Sequence, residues 1–549
     1  MMQGFLSTVS SRHRWWLLVA GLALYLLAVN DHWAVERDAA FYLSLGRSLA
    51  QGEGMAFNGQ QHWGVPPLLP MLVAACRLIV GEHYWLVNLL ITSMAVGTAL
   101  LAWRLARLLC EDLDDPLRRL LPVGVLVVVG CSSRLFIEST RIMTDVPFAF
   151  LVTLGLYAFA RGLRDNWWWH GVAALALVAA TMSRLPGVIF AAGTTVAALC
   201  AARRARGPRL YGALAAGAAV AMALVLWLVL VRSHQDTGTI DYIRPAARAL
   251  VADLSSWNKL AEIGDALARF PTALCGAMLG HKMSAWAFSL VPTVPFLIGL
   301  VEMVRRRQWG VLMPYAAYLA FLIVYTPGAV GPRYFMPAIP FLAYGFLLGV
   351  ARLGALPNLL NRRERQGLVK PPRRRVIVSL YIVLVVVVAA DMPRTLRQIG
   401  WMRSRDFYAA YEGGDWLPYI QCGRYLQEHG RPAEDQVIGP DITLLLYVSQ
   451  LRSPSGSYNA HHLDENAPDD LVRIVQAQGC RYLVIPDDRP VWSRDVTAAV
   501  RATGDFQDEP KRFGNLLLFE RSRPGVPPSA GSRLPQATRC AARTPGNEP

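Results

Sequence analysis

Charge is scarce in this chain. Only 17% of its 549 residues are Asp, Glu, Lys or Arg, 54% are hydrophobic, and the mean hydropathy is +0.30. That make-up excludes an ordinary water-soluble enzyme and points to a membrane protein. Closely spaced cysteines are also lacking: the eight fall at 76, 110, 131, 200, 275, 422, 480 and 540, with no CxxC. Metal clusters and dithiol redox motifs are therefore unsupported, while Cys422 and Cys480 can either pair or stay free. No small-residue cleavage pattern follows the apolar run at 15–30, so that run reads as an uncleaved first span. No internal repeat is evident.

The formal charge of +16 raises nucleic acid as a partner, but the arginines sit in short clusters between apolar runs, as in "RLARLL", "AARRARG" and "PPRRR". In a membrane chain such clusters set topology and touch anionic lipid. No nucleic acid is expected. A span takes about 20 apolar residues. Runs near 15–30, 84–103, 118–135, 146–161, 168–183, 186–202, 211–231, 286–303, 309–326, 334–351 and 376–391 predict about eleven.

With Arg12 and Arg14 cytoplasmic, alternation puts the arginines at 104–107, 118–119, 161–164, 203–209, 305–307 and 362–375 on one side. The opposite side receives 31–83, 136–145, the turn at Arg184, the long loop 232–285, the turn 327–333 and everything after 392. Counting "PPLLPMLVAACRLIV" (66–80) as a span would invert this order, so it reads as an interfacial helix beside a second one at 38–50. The tryptophans of "DNWWWHG" (165–171) read as an aromatic anchor at a membrane boundary.

Residues 1–392 thus form a transmembrane domain. From about 393 to 519, strand-like "DQVIG" and "RYLVIP" alternate with amphipathic stretches at 415–429 and 468–478, which predicts a small extracytoplasmic α/β domain. Residues 520–549, rich in Pro, Arg, Ser and Gly, read as a disordered tail.

The outward segments hold isolated acids and arginines. On a helix from Ala34 to Ala50, residues 38, 42, 45 and 49 share a face, so Asp38 stands at the upper edge of an oily stripe with Tyr42. It can serve a polar pocket, or simply pair with Arg37 or Arg141. Asp145 in "MTDVPF" starts a span and can cap it or point into an outer cavity. Arg184 in "SRLPG" and Arg333 in "GPRYF" occupy tight outer turns, and Arg134, Glu138 and Arg141 lie near the same face. Two acids and two arginines at one membrane face suit an anionic, lipid-borne substrate and a reacting hydroxyl. Guanidinium forks stabilise charge on a departing phosphate, and a carboxylate accepts the hydroxyl proton, Asp38 first and Asp145 second.

The stretch "RDAAFYLSLGRSLAQGEGMAFNGQQHWGVPPLLPMLVAA" resembles the first outer loop of the GT-C integral-membrane glycosyltransferases, especially the bacterial aminoarabinose transferase and protein O-mannosyltransferase-like group. "MTDVPF" resembles that family's second acidic motif, and Arg333, Tyr334, Pro337, Pro340 and Phe341 match its "RYxxPxxPF" pattern. The resemblance implies a polytopic GT-C fold and transfer of a monosaccharide from a polyprenyl-phosphate carrier to a lipid, glycan or protein acceptor. The expected setting is the outer face of a bacterial inner membrane. It implies Asp38 and Asp145 as catalytic acids, with Tyr42 and Tyr334 at the substrate; from their outer positions, Arg184, Arg333 and Arg141 are expected on the carrier phosphate and His62 and Trp63 in the same pocket. Aminoarabinose transferases carry Glu and Lys before the double proline, where this chain has Gly64 and Val65. The Glu is associated there with a metal and the Lys with the phosphate. Metal use is therefore left open, and the phosphate role shifts to Arg184 or Arg333. The alternative is a transporter or flippase of a lipid-linked or anionic solute.

Overall fold

The structure, a computed structural model, describes residues 19–202, 208–233, 257–279, 286–325, 332–360, 373–410, 416–454 and 468–521, apart from 20, 406, 433, 488, 489 and 508. Arg12, Arg14, the arginines of 203–206, those of 362–365, the turn 327–331 and the tail beyond 521 lie outside the described residues. The chain divides into two compact units, residues 1–417 and 418–549.

Helices stand at each predicted span: 21–27, Trp85–Leu109, Asp115–Gly130, Asp145–Arg164, Trp169–Ser183, Gly187–Ala202, Pro208–Ser233, Trp286–Arg305, Trp309–Tyr325, Ile339–Leu360 and Arg373–Met402. Five are long and apolar enough to cross a bilayer, and Asp115–Gly130 with Ser133–Ser139, bent by 48°, makes a sixth. Against the eleven expected, five or six spans are thus clear by length and composition among the described residues. Trp169–Ser183, Gly187–Cys200 and Trp309–Val324 are apolar but short. At 1.5 Å per residue, 15 residues reach only about 22 Å of a roughly 30 Å hydrocarbon layer. The protein is polytopic and mostly α-helical. The described part of the stretch 232–285 contains the 23-residue helix Trp257–Leu279. Its Phe270 meets Phe335 edge-on at 5.6 Å.

Groups predicted to share a membrane side meet one another. At one end, Arg164 donates to the Leu108 carbonyl at 2.9 Å and pairs with Glu111, Gln308 donates to the Leu109 carbonyl at 2.9 Å, and Arg306 and Arg352 share Glu302. The helices Trp286–Arg305 and Ile339–Leu360 cross closely because Gly349 has no side chain: a Cβ there would overlap the Pro295 carbonyl. Close backbone approach over small residues is how helices gain contact where lipid supplies no hydrophobic drive.

In the first outer loop, the helix Leu68–Val80 buries Leu69, Val73, Ala74 and Cys76 while Met71, Leu78 and Ile79 are each more than half exposed, the pattern of a helix lying at a membrane interface. It packs on Arg37–Ala50 through Gly46, where a Cβ would overlap the Val73 side chain and sit 3.1 Å from the Pro70 carbonyl. Trp167 and Trp168 are exposed just before the helix Trp169–Ser183, as an aromatic anchor requires.

Asp31 ties the two ends of this loop. Its carboxylate accepts from the Tyr84 amide at 2.5 Å and the Trp85 amide at 3.2 Å, and contacts His83 Nδ1 at 2.5 Å. Partial burial opposes the charge, but His83 and the two amides outweigh it and hold the carboxyl below its ordinary range. A depressed carboxylate stabilises the fold above its unfolded pKa of about 3.9 and loses that contribution as pH falls through its folded value. Melting in detergent should therefore show an acid-induced drop starting near pH ~4 in the wild type that is smaller in Asp31→Asn. Parallel pH profiles would rule this anchor out.

The second unit is α/β. Its sheet runs in the order Val437–Ile438, Tyr482–Pro486, Leu516–Glu520, Lys511–Phe513, the first pair parallel and the others antiparallel. Both predicted strands are present, with helices Leu417–His429 and Pro468–Ala477 near the predicted stretches. The run Ile442–Ser449 is a buried helix, and Pro490–Ala502 a further one. Leu471, Val475, Leu483, Ile485, Val496, Val500 and Phe519 form one core. Cys422 and Cys480 are free and buried, and burial pushes both thiols up to about 12.

Candidate active site

Four charged side chains from distant stretches of sequence meet in the first unit. Asp38 is the second residue of Arg37–Ala50, which begins three residues later than Ala34: 32–36 carry no regular structure, Glu36 is extended, and Trp33, Ala34 and Val35 are buried. Ala39, Leu43 and Gly46 are buried on one flank, Phe41, Leu45 and Ser48 on the other. The predicted oily stripe is thus a seam: Leu45 is buried, but Asp38, Tyr42 and Leu49 remain partly open. Tyr42 hydrogen-bonds Thr144, and burial together with the Asp38 charge raises its phenol.

Asp145 is the first residue of Asp145–Arg164 and is fully buried. Pro147 fits the first turn, where amides lack intrahelical acceptors. The carboxylate does not cap this helix. Its Oδ2 accepts from Arg333 Nε at 2.8 Å and its Oδ1 from a terminal nitrogen of Arg184. Arg184 lies on extended backbone after Ser183 and ends the helix Trp169–Ser183 as its C-cap. Arg333 belongs to the 3-10 turn Pro332–Ala338, and its terminal nitrogen Nη2 donates to Asp38 Oδ2 at 3.2 Å. One guanidinium therefore bridges acids 188 and 295 positions away in sequence.

Aromatic packing holds this floor rigid. Phe190 stacks on Tyr318 at 4.7 Å and Tyr315 on Phe341 at 4.5 Å. Tyr318 donates to the Tyr334 carbonyl at 2.7 Å, and Arg184 lies 5.7 Å over the Tyr334 ring. Around the rim, Arg141 pairs with Glu36 at 2.8 Å rather than with Asp38, while Arg134 meets the buried Glu138 at 2.6 Å. His62 packs edge-on against Phe41 at 5.5 Å and Phe57 at 6.0 Å, and the Trp63 carbonyl accepts from Trp227 at 3.0 Å. Sequence reading singled out neither Glu36 nor Tyr318. Glu36 stands two residues from Asp38, and its pairing with a distant arginine leaves no local signature.

The four acids Asp38, Asp145, Glu36 and Glu138 face four arginines, 134, 141, 184 and 333, so the formal charges cancel. A divalent metal does not fit this donor set. Both Asp145 oxygens already accept from guanidinium groups, position 64 offers no carboxylate, and among the described residues no group of three or more His, Cys, Asp or Glu side chains converges as metal ligands.

No protein-family model and no curated protein matches the chain in sequence. Solved structures do match in fold. ArnT from Cupriavidus metallidurans bound to undecaprenyl phosphate superposes with a TM-score of 0.57 at 14% identity, over 93% of this chain and 98% of that one. The fold of the chain resembles GT-C. The archaeal oligosaccharyltransferase AglB from Archaeoglobus fulgidus, in complex with an inhibitory peptide and a dolichol-phosphate, matches with a TM-score of 0.55 at 12% identity, over 94% of this chain and 75% of that one. Its apo form gives 0.56 at 12% identity, over 90% and 72%. At these identities the GT-C likeness is a likeness of fold.

Proposed function

We propose that the chain is a glycosyltransferase that moves a monosaccharide from a polyprenyl-phosphate carrier to a lipid, glycan or protein acceptor. The reaction takes place at the outer face of a bacterial inner membrane, with about eleven spans and the second unit extracytoplasmic. The observation that carries this reading is the Arg333 bridge between a buried acid and a half-exposed one. It puts a base candidate beside cations suited to a phosphate. The fold adds weight, since one GT-C neighbour is bound to undecaprenyl phosphate and another to a dolichol-phosphate.

Each charged group then has a separate task. Asp145, sealed and doubly bonded, orients Arg184 and Arg333. Asp38 has the longer contact and a side chain 40% exposed, so it is the group that exchanges partners. Carrier phosphate competes for Arg333, and Asp38 is released toward the acceptor. The acceptor oxygen bonds to the anomeric carbon, its proton passes to Asp38, and the carbon–oxygen bond to phosphate breaks with its electron pair leaving on the carrier. One displacement inverts the anomeric centre. Arg184 and Arg333 stabilise the charge gathered on the phosphate, and Tyr42, Tyr334, His62 and Trp63 line the sugar and acceptor approach.

The test supplies purified protein with labelled polyprenyl-phosphate sugars and candidate acceptors and follows release of the free carrier phosphate. Acceptor-dependent release supports transfer. Movement of intact donor across a vesicle membrane without bond cleavage would replace the enzyme reading with a flippase. Arg184→Ala should weaken polyprenyl-phosphate binding by about ten- to a hundredfold, the worth of one charged hydrogen bond. Arg184→Lys should recover only part, because an ammonium lacks the planar fork. Unchanged affinity in calorimetry would move the phosphate site elsewhere.

A further inference from the structure

The helix Asp115–Gly130 breaks at Cys131 and Ser132 and resumes, bent by 48°, as the seven-residue segment Ser133–Ser139. This short segment carries Arg134 and Glu138 and leads into Arg141. The segment packs on the helix Asp145–Arg164 and on the turn Pro332–Ala338, the elements that carry Asp145 and Arg333. Seven residues are too few to hold a direction on their own. The helix Trp85–Leu109 touches its end, where the Thr92 hydroxyl donates to the Ser139 carbonyl at 3.4 Å, and a second neighbouring helix, Arg373–Met402, grips it at both ends. Its fully buried Asp391 accepts at Oδ1 from the Ser133 hydroxyl at 2.5 Å, at the start of the segment. Its buried Gln398 donates to Thr140 Oγ1 at 2.8 Å, at the segment's end.

The spacing explains why two side chains suffice. Asp391 and Gln398 are seven residues apart, as are Ser133 and Thr140. At a common rise of about 1.5 Å per residue, both intervals span about 10.5 Å. The two contacts are therefore in register, and a turn of the segment breaks at least one of them. Inside a membrane protein, a polar side chain released from such a bond has no water to replace it.

We propose that Asp391 and Gln398 are positioning residues for the reaction centre: together they lock the bent segment so that Arg134 and Glu138 stay against the Asp145–Arg333 pair. The consequence for turnover rests on the glycosyltransferase reading, whereas the lock itself does not. Cys131, partly exposed at the break, gives a readout that needs no activity.

Full-length protein in nanodiscs is treated with a membrane-permeant maleimide, and labelling of Cys131 is followed by peptide mass, with exposed Cys200 as the internal reference. Asp391→Leu and, separately, Gln398→Leu should raise the Cys131 rate by about tenfold relative to Cys200, as loss of one net hydrogen bond predicts. Asp391→Asn retains an acceptor for Ser133 and should stay within about threefold of wild type. In the transfer assay, Asp391→Leu and Gln398→Leu should lower kcat by about tenfold with less effect on the donor KM, and Asp391→Asn should restore kcat. Gln398→Leu removes a single bond and serves if Asp391→Leu does not fold. Wild-type labelling in both leucine variants overturns the lock. Faster labelling without a kcat change overturns its catalytic consequence. Faster labelling in a protein whose wild type transfers no sugar supports the lock and overturns the glycosyltransferase reading instead.

Discussion

Asp38→Asn should lower sugar transfer by about a hundred- to ten-thousandfold, the usual contribution of a positioned general base, while donor binding stays within a few-fold of wild type. The amide is nearly the same size and can still accept from Arg333, so the bridge that Asp38 makes at 3.2 Å is retained in form. What is lost is proton affinity. Because Asp38 is partly open and makes this longer bond, the substitution should also leave the melting temperature close to that of wild type. Single-turnover transfer and carrier binding, measured on the same preparation, separate these effects. Transfer within a few-fold of wild type would remove Asp38 as the base.

Asp145→Ala should behave in the opposite way, failing in stability before chemistry is reached. Its carboxylate has no exposure and satisfies Arg184 and Arg333 together. Removing it leaves two guanidinium groups in a shielded site with a shared acceptor gone. Breaking a buried pair from one side costs about 3–5 kcal/mol, because the remaining charge is uncompensated. The melting temperature in detergent should fall markedly, and carrier affinity should fall with it as both arginines lose their orientation. Asp145→Asn should be intermediate, since it keeps an acceptor oxygen but not the charge. If Asp145→Ala melts and binds carrier like wild type, the acid is not the organiser of the arginine pair. The contrast with Asp38 is the informative part: acids equivalent in sequence terms are separated by burial, and the two variants test whether their roles separate with it.

Much of the helical part was legible because its signals are local. Apolar runs mark helices wherever backbone groups must be satisfied without water, and helices stand at each predicted span. Their lengths were less legible, since an apolar stretch such as Trp169–Ser183 signals burial equally well in lipid or against other helices. The helix Trp257–Leu279 escaped because its charges at Lys259, Glu262, Asp265 and Arg269 keep its hydropathy low. In the second unit, the buried run Ile442–Ser449 lacks the alternation or stripe by which short elements are read.

For the candidate site, the residue types and the shared membrane side of Asp38, Asp145, Arg184 and Arg333 could be read from tight turns, proline neighbours and the alternation of arginine clusters. Their pairing could not. Arg141 was expected on the phosphate or Asp38 and is held by Glu36, a choice made by a few ångströms.

By itself the sequence determined that this chain enters a membrane, where its helices fall, and which charged groups stand near one face, because hydropathy and charge act residue by residue. Only the tertiary structure decided that Arg333 joins Asp38 to Asp145, that Asp145 is sealed while Asp38 is open, and that Asp391 and Gln398 grip a broken helix. Ion pairing and burial depend on distances between segments far apart in the chain, and those distances exist only once the helices have packed.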